Sequence, residues 1–132
     1  MTHRTQIWTV STDVFRNHPV VGIGSGAHPV AVANMLGRPL VAHNTYVSVL
    51  AELGIVGELI FLGLLAALFY STFRLPRPER ALWLLILATW CIGVGGGTWE
   101  YRKITWFLFS LLAAHVYARR PGRPAAAKPK IG

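Results

Sequence analysis

The chain holds a single cysteine, Cys91, and only five acidic residues among 132. One thiol excludes an intramolecular disulfide and any thiolate metal cluster. Charge of either sign is thin at 14%, and no internal repeat is present. Residues 1–16 contain neither a continuous apolar core nor a small-residue cleavage site, so no signal peptide is expected there. Delivery of that segment would fall to something upstream.

What the chain has instead is apolar surface, 53% of its residues, gathered in blocks. Gly54 to Phe73 reads GIVGELIFLGLLAALFYSTF, a run of about twenty residues with one charge, enough to cross a hydrocarbon core of about 30 Å. Two shorter blocks follow, ALWLLILATWCIGVG from Ala81 and ITWFLFSLLAAHVYA from Ile104. Trp83, Trp99, Tyr101, Trp106 and Tyr117 lie near the block ends, where amphipathic rings favour the headgroup layer. The expected fold is an all-α membrane protein with three transmembrane helices at 44–73, 81–97 and 104–118. A loop segment, residues 1–43, precedes them, and a basic, proline-rich tail, residues 119–132, is expected to be disordered.

Formal net charge is +8, which in a soluble protein would suggest a nucleic-acid partner. Its placement argues against that and for a bilayer. Arg74, Arg77 and Arg80 crowd one inter-helix loop, and Arg119, Arg120, Arg123, Lys128 and Lys130 crowd the tail. The positive-inside rule makes that side cytoplasmic, so residues 1–43 would face the periplasm or cell exterior.

Within residues 1–43, Ile7, Trp8, Val10, Val14 and Phe15 fall near a helical stripe, so an amphipathic helix is expected over 4–15. Asn17-His18-Pro19 ends it, because proline restricts its predecessor and lacks an N–H. Gly22-Ile23-Gly24-Ser25-Gly26 is a loop whose glycines reach backbone conformations closed to other residues. A short helix over 29–36 follows, stopped by Gly37 and Pro39. Asn44 or Thr45 can cap the long helix after it.

Several site readings compete. Gly22-x-Gly24-x-x-Ala27 fits a relaxed dinucleotide fingerprint, but no βαβ unit of adequate length surrounds it, and a turned loop is the better reading. His18, His28 and His43 match no usual ligand spacing, so no metal is expected. Glu52 and Glu58 are separated by about 240° around a helix, which argues against paired-carboxylate chemistry; an interfacial hydrogen bond suits Glu52, and a protein neighbour suits Glu58. A solvated surface is the plain reading of Arg16 and Arg38. Arg4 has a better claim, since a guanidinium at a membrane surface grips a diphosphate through forked hydrogen bonds.

Four strings in order, Arg4-x-x-Ile7-Trp8, His18-Pro19-Val20-Val21-Gly22-Ile23-Gly24-Ser25-Gly26, Ala42-His43-Asn44-Thr45-Tyr46 and Ala51-Glu52-Leu53-Gly54-Ile55-Val56-Gly57, resemble the C-terminal part of the O-antigen ligase and polymerase family. The resemblance covers about residues 4–118. It implies the end of a large periplasmic loop and the last helices of a GT-C type polytopic glycosyltransferase. Such enzymes transfer a glycan from an undecaprenyl diphosphate carrier to a lipid A core or polysaccharide acceptor, without metal or cofactor. Arg4 then matches the arginine that engages the diphosphate, and His43 the base that activates the acceptor hydroxyl. Trp8, Asn44 and Tyr46 are expected to bind substrate.

The implied chemistry is sound on first principles. Breaking the anomeric bond leaves negative charge on the departing diphosphate, which a fixed cation stabilises most in the transition state. The attacking hydroxyl loses its proton, which a neutral histidine can take. The family's preceding helices have no counterpart before Met1, so the chain is expected to be a fragment, a misassigned start or a decayed gene that needs those missing N-terminal helices. The alternative from another class is a small non-enzymatic three-span protein acting as an assembly partner, in which Arg4 and His43 are incidental.

Overall fold

The computed structural model describes residues 3–37, 40 and 42–119, with side chains from Gln6 onward. Five α-helices form in this order: α1 (His3–Asn17), α2 (His28–Leu36), α3 (Thr45–Thr72), α4 (Arg77–Gly93), continued by a 3₁₀ turn over Val94–Gly96, and α5 (Lys103–Ala118). The expected basic tail lies outside the described residues except for Arg119, and so does Arg38.

Local sequence explains the ends. α1 stops at Asn17, directly before His18-Pro19. α2 ends on Gly37, whose φ of 75° is left-handed and whose N–H returns to Ala33 O. Asn44 begins α3, its side chain accepting from Val47 N at 3.2 Å, a standard N-cap bond. Pro78 sits in the first turn of α4, where its missing N–H costs nothing.

Two of these helices, α3 and the Arg77–Gly96 unit, are long and apolar enough to cross a membrane. The expected third span is not among them. α5 has 16 residues, about 24 Å at 1.5 Å per residue, short of a core of about 30 Å. The fold is therefore all-helical with two candidate transmembrane helices, not three, and α5 is a short apolar helix packed beside them. No strand occurs among the described residues.

The expected long helix is also not continuous. Gly54 has φ 65° and ψ −165° inside α3, which breaks the ladder one turn past Ala51.

Two apolar clusters hold the molecule. The larger joins α3, α4 and α5 through Phe61, Leu65, Leu68, Trp83, Leu87, Trp90, Phe109 and Leu112. Trp90 and Phe109 meet edge-on, 4.9 Å between centroids, a favoured aromatic geometry. The smaller joins α1 and α2 to the start of α3 through Val10, Val14, Val32 and Ala51. The apolar stripe of α1 is thus spent within the chain: Ile7, Val10 and Val14 are buried, while Trp8 is 46% exposed.

Candidate functional site

A helix broken at Gly54 frees backbone groups that must find partners. The segment from Pro19 to Gly24 supplies four such partners. Ile23 N–H donates to Ala51 O at 3.3 Å and Gly24 N–H to Glu52 O at 2.8 Å. In the other direction Ile55 N–H reaches Pro19 O at 2.9 Å and Val56 N–H reaches Val20 O at 3.2 Å. The approach is so close that a Cβ on Gly22 would lie 2.3 Å from Glu52 backbone, and one on Gly54 would lie 2.4 Å from Val20 backbone. Both glycines also have positive φ, 67° and 65°. Two of the strings that carry the resemblance are therefore two halves of one interlock.

Glu52 lies at its centre and is 2% exposed. Its Oε2 accepts from Gly26 N–H at 2.9 Å, its Oε1 from His28 N–H at 3.2 Å, and the Tyr101 hydroxyl donates to Oε2. The same hydroxyl accepts from Gly26 N–H at 2.8 Å. Burial pushes the Tyr101 phenol up, and its bond to Glu52 adds to this, so Tyr101 stays a donor at neutral pH. A buried carboxylate with three donors is saturated; Glu52 serves structure, as its interfacial position suggested.

Next to this interlock, α1 and α2 are joined by a buried polar pair. Ser11 Oγ and His28 Nε2 are 2.7 Å apart, and Ser11 gives its own proton to Ile7 O at 2.8 Å. Ser11 must then accept, which puts the His28 proton on Nε2. Burial lowers the His28 pKa, opposed by the nearby Glu52 charge. His28 is therefore no metal ligand in waiting, and His18 and His43 are exposed elsewhere. Among the described residues no group of three or more His, Cys, Asp or Glu side chains is placed to hold a metal ion.

His43 directly precedes the cap of α3. It is exposed, with a left-handed φ of 50°, a conformation uncommon in any residue but glycine. Both neighbours hold it there. Ala42 O accepts the Trp8 indole N–H at 3.3 Å, and Asn44 is fixed as the cap of α3. Thr45, fully buried, donates to Gly97 O at 3.0 Å and accepts from Trp99 N–H at 2.8 Å.

The expected site residues thus have distinct placements. Trp8 and His43 come together through Ala42. Asn44 adjoins His43, with its side-chain oxygen engaged in capping. Tyr46 turns away, its hydroxyl donating to Cys91 O at 3.2 Å and its ring edge-on to Phe61. Arg4 lies one helical turn before Trp8 in α1, and its side chain is outside the described residues. Sequence reasoning missed Ser25, Gly97 and Tyr101 as neighbours of the site, since it treated the segment after Gly95 as a helix break and Tyr101 as an interfacial ring. The one available signal was a polar, aromatic string, Thr98-Trp99-Glu100-Tyr101, between two apolar blocks.

In comparison with known proteins, the O-antigen ligase family model matches residues 1–62. That match takes in α1, the glycine loop, α2, His43 and the kink of α3, and stops before α4. No curated protein and no solved structure matches the chain.

Proposed function

We propose that the chain is part of a membrane glycosyltransferase of the O-antigen ligase type, which moves a glycan from a polyprenyl diphosphate carrier to a lipid A core or polysaccharide hydroxyl. The observation that carries this reading is the latch between α1 and His43: Trp8 binds the carbonyl of Ala42, next to an exposed histidine in a left-handed conformation. Such backbone costs of order 1 kcal/mol or more, and it persists only when its surroundings fix it. Here those surroundings are the helix bearing Arg4 and the cap of α3.

In this reading Arg4 holds the diphosphate and stabilises the charge that develops as the anomeric bond breaks. His43 accepts the proton of the attacking hydroxyl. Trp8 offers an aromatic edge to the sugar beside them, and Asn44 adjoins His43 as the cap of α3; Tyr46, turned toward Cys91, supports α3 from behind rather than touching the sugar. Residues 1–43 and the 97–101 loop face the periplasm of a bacterial inner membrane, while Arg74, Arg77 and Arg80 face the cytoplasm.

The test is made in an intact parent enzyme. His43→Ala and Arg4→Ala are each expected to cut transfer by roughly 10²- to 10⁴-fold at unchanged membrane levels. Arg4→Lys should rescue poorly, because a point charge cannot make a forked contact. Near-normal product from His43→Ala at matched expression would remove His43 from the mechanism.

A further inference from the structure

At the end of the molecule opposite His43, a groove of about 240 Å³ runs between α3 and α5. Leu68 and Val116, both buried, form its floor, and the small side chains of Ala67 and Ala113 keep it open. Leu64 lines its inner part and Arg74 its mouth, about ten residues or roughly 15 Å apart along the helix. A helix with its side chains is about 10–12 Å across, too wide for so small a volume drawn out over that length. A single hydrocarbon chain fits.

The rings around the mouth set its depth in a bilayer. Tyr70 and Tyr117, 67% and 55% exposed, stand in the last turns of α3 and α5, and amphipathic rings at helix ends favour the headgroup layer. The charge at the mouth is uncompensated. Arg74 is exposed and lies over the Tyr70 ring at 5.9 Å, a stacking contact that leaves its N–H donors for an acceptor. Of the five acidic residues, Glu79 is the one at this end, and it already bonds His115 at 2.8 Å and pairs with Arg119. Arg74, Arg77 and Arg80 therefore face no free carboxylate. Ser71, also at the mouth, gives its own proton to Leu68 O at 2.7 Å, which leaves Arg74 as the charged donor there. An aliphatic trough with a guanidinium at headgroup level complements an amphiphile with an anionic head. A zwitterionic head would bring a further cation among three arginines. The carrier lipid of the proposed reaction is not the occupant, because α3, 28 residues long, separates this mouth from His43.

We infer that this groove seats an acyl chain of an anionic glycerophospholipid, with the lipid's phosphate on Arg74. The guanidinium can meet two phosphate oxygens at once, and Arg77 and Arg80 add attraction of longer range.

The full chain is reconstituted in phosphatidylcholine vesicles carrying a trace of an acyl-diazirine lipid with a glycerol, ethanolamine or choline headgroup. Adducts are mapped by mass spectrometry after illumination. The phosphatidylglycerol probe is expected to label Leu64, Ala67 or Ala113 roughly 5-fold more than either zwitterionic probe, the scale of one arginine's attraction for an anionic lipid. Arg74→Gln should bring the three probes level. Arg77→Gln, exposed in the same loop but not lining the groove, should leave most of the preference. Ala67→Phe, which fills the trough and keeps every charge, should remove it. Equal labelling by all probes in the wild-type chain overturns the inference, as does a preference that survives Arg74→Gln or Ala67→Phe. A loss from Arg77→Gln as large as that from Arg74→Gln would mean diffuse attraction without a site, and overturns it too. So does a photoreactive side chain at position 67 that captures a polypeptide in native membranes. If Arg74→Gln fails to insert, the wild-type, Arg77→Gln and Ala67→Phe comparisons decide. The outcome does not depend on whether the chain takes part in glycan transfer.

Discussion

Gly22 and Gly54 face each other across the interlock, each with positive φ and each with the other segment's backbone where its Cβ would be. Gly24 shares the positive φ, 103°, but has open space at its Cβ. The three positions therefore separate two costs. Left-handed backbone alone costs an L-residue roughly 1–2 kcal/mol, so Gly24→Ala should lower stability by about that much. Gly22→Ala and Gly54→Ala must also force the loop off α3 and should cost clearly more, with Gly63→Ala, in helical backbone and open space, as the neutral control. Thermal melting in nanodiscs reads the order; a Gly22→Ala melt equal to that of Gly24→Ala would mean that the loop is not docked as described. Glu52→Gln tests the same joint from the side chain. The amide turns a donor toward Gly26 N–H or Tyr101 and strands it, a loss of roughly 1–3 kcal/mol. The sequence made the need for glycine in this loop legible, because three occur in five residues. It hid the partner, because a kink thirty residues away leaves no trace in local pattern.

At the scale of elements the same contrast holds. The ends of α1 and α2 could be read from Pro19 and Gly37, and the apolar stripe of α1 from its period. That the stripe would meet α2 and α3 rather than lipid depended on Ser11 and His28, which only tertiary contact pairs. The third span failed for a simpler reason: apolar composition marked the block, but 16 residues do not make its length. The Ser11–His28 bridge carries a pH expectation. Burial holds the folded His28 pKa below its ordinary value of about 6.5, so the unfolded chain takes up a proton that the folded one refuses. The contribution of His28 is present above pH 6.5 and is lost as pH falls from there through the lowered folded pKa, at up to about 1.4 kcal/mol per pH unit. Hydrogen exchange of α1 amides should therefore speed up between pH 7.5 and pH 5.5, beyond the intrinsic pH dependence of exchange, while α4 amides show no such excess. A His28→Gln variant should lose that excess in α1. Equal protection of α1 at the two pH values, after that correction, would show that His28 does not tie the two helices.

The whole molecule has two unlike ends. One carries the glycine loop, His43 and the Thr45 to Gly97 and Glu52 to Tyr101 ties. The other carries Arg74 and Arg80, stacked over Tyr70 and Phe73 at 5.9 Å each, and Glu79, which bonds His115 at 2.8 Å and also pairs with Arg119. Direct contacts place Ser25 beside Tyr101 and Arg119 beside Glu79, so the separation of the ends does not rest on how many helices span. Charge then says which end faces the cytoplasm. Basic residues resist translocation and hold their loop inside, so the Arg74–Arg80 end is expected to be cytoplasmic and the Ser25 end periplasmic. In a Cys91→Ala background, Ser25→Cys and Arg77→Cys, both at exposed positions, are treated with a membrane-impermeant thiol reagent in cells with a permeabilised outer membrane and an intact inner one. Ser25→Cys should label there, and Arg77→Cys only after the inner membrane is broken. The reverse pattern would invert the orientation and put His43 on the face where no periplasmic acceptor can reach it, which would sink the transfer reaction together with the topology. Labelling of both in intact spheroplasts would instead show that the α3–α4 pair lies on the bilayer without crossing it.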